Sequence, residues 1–147
     1  MDPAPAIALT ITLAISSVTD IGQRRIPNLL TGSAAVVALL LAALGFSVGP
    51  LESVIVALAL VFPLAALAIL RPEGFGMGDV KLIGVMALFL GWEVWLPLLG
   101  GLGAATLAGT IIALGRGGAG RSVALPLAPF LAAGMVPSLA AALPLLH

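Results

Sequence analysis

The sequence predicts an all-α, polytopic membrane protein of six transmembrane helices, with both termini on the outer side and one domain spanning residues 1–147. Three observations carry that prediction. Of the 147 residues, 61% are hydrophobic and 8% charged, whereas a soluble domain carries nearer ~25% charge. So few polar residues cannot cover a surface in water, and a lipid-facing exterior removes the need. Apolar stretches near the ~20 residues that cross a bilayer recur along the chain, separated by glycine- and proline-rich breaks. Finally, the basic residues sort to one side of the membrane.

The segments follow in order. The first runs from about Pro5 to Thr19. It resembles a cleavable leader only in hydropathy, since Asp2 precedes it and no Lys or Arg does, so it is expected to be a retained helix. The second runs from about Leu29 to Phe46, and the third from about Leu51 to Leu70. A short fourth spans about Asp79 to Leu90, a fifth about Glu93 to Leu114, and a sixth about Ser122 to Leu146. Gly45 to Pro50, Arg71 to Gly78 and Gly115 to Gly120 supply strong breaks. Gly91-Trp92-Glu93 is weaker, and one long tilted helix across it is the alternative.

Charge distinguishes the two. With six segments, Arg24, Arg25, Arg71, Lys81, Arg116 and Arg121 all flank the same side, which the positive-inside rule makes cytoplasmic. Fusing segments four and five would move Arg116 and Arg121 outside. Trp92 and Trp95 then lie at the outer interface as anchors. Gly101, Ala105 and Gly109 make a close-packing stripe, either within the bundle or between two protomers of a homo-oligomer.

Composition also excludes chemistry. There is no cysteine, and the single histidine is His147. Thiol nucleophiles, cysteine–zinc sites, a His-based triad and a multi-His metal site are therefore ruled out, and no metal or other cofactor is expected. A formal net charge of zero without a basic run makes nucleic acid an improbable partner.

Two acids stand out. Asp20 ends the first segment and Asp79 opens the fourth, both near the expected cytoplasmic boundary. Asp79 also suits a helix N-terminus, where an acid caps and complements the dipole. Asp20 sits at a helix C-terminus, where the dipole disfavours a negative charge unless the nearby Arg24 or Arg25 offsets it. Two neighbouring carboxylates resist ionising together and share a proton. One then works as base on a water while the other protonates the substrate carbonyl. Gly76 and Gly78, lacking side chains, let an extended backbone lie beside Asp79, or simply turn the chain. Asn28 is expected to cap the second helix. Lys81, two residues from Asp79, faces another way on a helix and is expected to anchor at lipid headgroups.

The motifs around these residues resemble the type IV prepilin peptidases, membrane aspartyl proteases of the GxGD class. Asp20 is followed by Arg25-Ile26-Pro27-Asn28. Asp79 stands in Gly76-Met77-Gly78-Asp79-Val80-Lys81-Leu82. Leu125-Pro126-Leu127-Ala128-Pro129-Phe130-Leu131 is similar to a proline–phenylalanine motif in the family's last helix, with Ala128 where relatives usually show glycine. The resemblance implies a multi-pass protein of the bacterial inner (cytoplasmic) membrane. Its substrate would be a prepilin or pseudopilin precursor, its basic leader cut at the cytoplasmic face. Asp20 and Asp79 would be the catalytic pair, Gly76 and Gly78 would shape the loop, and Pro126 and Pro129 would loosen segment six near the site. Longer members carry a cysteine-bearing methylating region that this chain lacks. The resemblance is therefore to the short peptidase-only form, similar to those of tad-type (Flp) pili or to archaeal preflagellin peptidases, without methyltransferase activity. Glu73 would attract a basic leader or be an ordinary solvated charge. A presenilin-type protease is disfavoured by Thr19-Asp20 in place of Tyr-Asp. A proton or cation carrier would place its acids nearer mid-bilayer.

Overall fold

A computed structural model describes residues 3–23, 27–70, 76–115 and 127–136, and every element among them is helical. In chain order these are α1 (Pro3–Gln23), α2 (Asn28–Ala43), α3 (Pro50–Leu70), α4 (Met77–Leu90), a 3₁₀ turn (Gly91–Val94), α5 (Trp95–Gly115) and α6 (Ala128–Gly134). Three stretches are long and apolar enough to cross a membrane: Ala4–Gly22, Pro50–Leu70 and Met77–Gly115. At 16 residues α2 is shorter. Of the expected sixth segment, residues 127–136 are described, and the rest lies outside the described residues.

α4 is the centre of the bundle. Val80, Leu82, Ile83, Val85, Met86, Ala87, Phe89 and Leu90 are all buried, by α1, α2 and α3 packed around them. The other helices bury a single stripe. On α1 it comprises Ala6, Leu9, Leu13, Ser16 and Asp20, while Ile7, Ile11, Ile15, Val18 and Ile21 face outward. Apolar residues on both faces match a helix set between a protein core and lipid. Five hydroxyls lie along α1. Those of Thr10, Thr12, Ser17 and Thr19 donate to carbonyls one turn back, which satisfies them without water. Ser16, fully buried one turn before Asp20, has no partner among the described residues.

The break at Gly91 is present. A straight helix over the 39 residues of Met77–Gly115 would be ~58 Å long, about twice the ~30 Å hydrocarbon thickness. Gly91 instead adopts φ 54°, where a side chain is strained, and a Cβ there would sit 2.8 Å from Glu52 Oε1. Ser47 Oγ donates to the Phe89 carbonyl at 2.8 Å and so closes the end of α4. Trp92 and Trp95 are exposed beside this break.

Beyond the break α5 packs on α6, and α6 on α1. The small residues explain the closeness. A Cβ on Gly101 would meet Leu131 Cα and the Phe130 carbonyl at 2.9 Å, and one on Gly134 would overlap the Pro97 carbonyl. Gly101 thus belongs to intramolecular packing, one of the two roles expected for its stripe.

Candidate active site

The site is built at one end of the bundle, where α1 finishes and α4 and α6 begin. Asp20 lies on the inward stripe of α1, a turn after Ser16, and is only 9% exposed. Its Oδ2 accepts a hydrogen bond from the Ala128 backbone N–H at 3.2 Å. That N–H belongs to the first turn of α6, where helical amides have no carbonyl partner of their own helix. Pro129 follows in the same turn, a place where its missing N–H costs nothing. Ala128 is itself fully buried, so α6 meets Asp20 through its backbone and a single methyl group. Pro126 lies outside the described residues.

Asp79 is half-buried in the first turn of α4. Gly76 precedes that turn with extended backbone, φ −79° and ψ 142°, and its carbonyl accepts the Asp79 N–H at 3.0 Å. Its carboxylate lies beside Gly76. Oδ2 stands 3.4 Å from where a Cβ on Gly76 would be. The glycine therefore leaves one side of the carboxylate uncovered. Gly78, the second residue of α4, is partly exposed.

Asp20 and Asp79 come within Coulombic range of each other, although a long stretch of chain separates them. The structure thus sets Gly76 beside Asp79 and Ala128 beside Asp20, with the two acids on separate helices near the same end of the bundle. Among the described residues no cluster of three or more His, Cys, Asp or Glu side chains forms. Two acids and backbone amides are the chemistry at hand: a group to accept a proton, a group to give one, and donors to hold them.

One expectation needs correction. Asn28 does not cap α2: the N-cap is Pro27, and no side chain caps that end. Asn28 Oδ1 instead accepts a hydrogen bond from Lys81 Nζ at 2.7 Å. Lys81, exposed on α4, thus spends one of its donors on Asn28. The Ala128 amide was not foreseen either. A backbone donor leaves no mark in the sequence beyond the unusual pair of prolines flanking it.

An apolar helical bundle with helices long enough to cross a bilayer belongs to the class of helical membrane proteins. The family follows from comparison. Residues 7–115, roughly three quarters of the chain, match the type IV leader peptidase family, and the chain belongs to it. The matched region contains Asp20 and Asp79 and ends before α6. No curated protein and no solved structure gives a match. The protein is thus a membrane peptidase of that family, with leader-bearing prepilins as the substrate class.

Proposed function

We propose that this chain is an aspartyl endopeptidase that removes the basic leader from Flp/tad-type prepilin precursors at the cytoplasmic face, using Asp20 and Asp79 as a pair. The observation that carries the reading is the approach of these two acids from separate helices within the matched region. In the working state one carboxyl holds a proton and the other is ionised. The ionised group takes a proton from a water as its oxygen attacks the scissile carbonyl carbon. The protonated group gives its proton to the carbonyl oxygen. As the tetrahedral intermediate collapses, the C–N bond breaks, the proton gained by the first carboxylate passes to the leaving amine, and a hydroxyl of the intermediate returns a proton to the second carboxylate as the new carboxyl group forms. Water is thereby added across one peptide bond, and no cofactor is consumed.

The proposed topology has six crossings with both termini outside, which sets all six basic residues of the sequence on the cytoplasmic side. A basic leader then meets the site from the cytoplasm while its apolar segment stays in the bilayer. The test is incubation of the purified protein with a leader-bearing prepilin in detergent or liposomes. Cleavage at one bond, read by mass of both products, supports the reading, and an intact precursor contradicts it. Glu73→Gln is expected to retain most of the activity.

A further inference from the structure

The Lys81–Asn28 hydrogen bond joins the two motifs that carry the acids. Lys81 follows Asp79 by two residues in the first turns of α4. Asn28 is the first residue of α2, separated from the end of α1 by residues 24–27. The 2.7 Å contact thus joins the start of α2 to the first turns of α4, and α2 also packs on α1, which carries Asp20. Lysine can only donate, so the amide must present its oxygen, and the polarity of the contact is fixed by chemistry.

An open groove of about 390 Å³ lies beside the bond between α2, α3 and α4, with Thr31, Gly32, Ala35, Val61, Gly84 and Leu88 among its walls. Among the described residues the Lys81–Asn28 contact is the one side-chain hydrogen bond between α2 and α4. Asn28 is exposed and leaves its own helix uncapped. A surface ammonium–amide contact adds little stability. Its consequence is geometric, because paired acid–base chemistry is sensitive to displacements of ~1 Å.

We propose that Lys81 is a positioning residue: held by Asn28, it ties the start of α2 to the first turn of α4 and so sets the separation of Asp20 and Asp79. This rests on the peptidase reading given above, and its test has one readout that does not involve activity. The chain has no cysteine, so spin labels at Gly22→Cys and Met77→Cys, at exposed positions, report the α1–α4 distance without background. Lys81→Met is expected to broaden that distance distribution, lower kcat for precursor cleavage ~10-fold or more, and leave KM within ~3-fold. Asn28→Leu should do the same, and the double variant should be no worse than either single one, as expected for two halves of one interaction. Lys81→Arg, which keeps a donor cation of similar reach, should recover most of the lost kcat. If Lys81→Met fails to insert, Asn28→Leu carries the test. An unchanged distance distribution, losses that multiply in the double variant, or a rise confined to KM would each overturn the proposal. A wild-type protein that leaves precursor intact would instead contradict the peptidase reading and leave the distance readout standing.

Discussion

Asp20 is held by the Ala128 amide at 3.2 Å, and Asp79 stands beside the bare backbone of Gly76. Neither neighbour brings a competing charge. Gly76→Ala should fold, because φ −79° suits alanine. Its methyl group would rest in contact with Asp79 Oδ2, so cleavage should fall ~10-fold while the melting temperature is unchanged. Ala128→Gly keeps the amide and should keep activity within ~3-fold. Ala128→Leu must push a larger side chain into a fully buried position and should lose ~1–3 kcal/mol of stability, measured by thermal unfolding in detergent. The acids and Gly76 were legible in the sequence because their motifs are local. The Ala128 amide and the Lys81–Asn28 contact were not, because each joins residues remote in sequence, the latter 53 positions apart.

The helices were largely legible as elements. Glycines and prolines marked the breaks, and at Gly91 the helix is interrupted by a 3₁₀ turn with φ 54°, where a side chain is strained. Gly91→Ala is expected to cost ~1–3 kcal/mol through backbone strain, besides the overlap with Glu52; a shifted unfolding midpoint with intact insertion would show it. Gly134→Val should be at least as damaging, because its neighbours across the interface are backbone atoms of Pro97 and Gly101, which cannot turn aside. What hydropathy could not reveal is which helix is central. α3 and α4 are both strongly apolar, yet α4 is buried nearly all round and α3 faces outward along much of its length. Lipid and protein core are equally apolar, so the contrast that marks the inner face of a soluble helix is absent here.

Over the whole molecule, the arrangement places a polar, reactive end on an otherwise apolar bundle. α4 sits at the centre and presents Asp79 from its first turn, while α1 brings Asp20 to the same end and α6 braces it. Charge sorting gave a topology from sequence alone, and single-cysteine labelling can check it. Cysteines at Gly49 and Trp92 should label from outside, and one at Gly118 only from the cytoplasm; the reverse pattern would overturn the assigned sides. The central claim is that both acids are needed for one reaction. Its most direct measurement is co-expression of a leader-bearing prepilin with Asp20→Asn or Asp79→Asn, with membrane insertion checked in parallel. Each substitution is nearly isosteric but cannot take up or give a carboxyl proton. The account predicts that both variants insert normally and leave the precursor uncut; normal leader removal by either variant would contradict it.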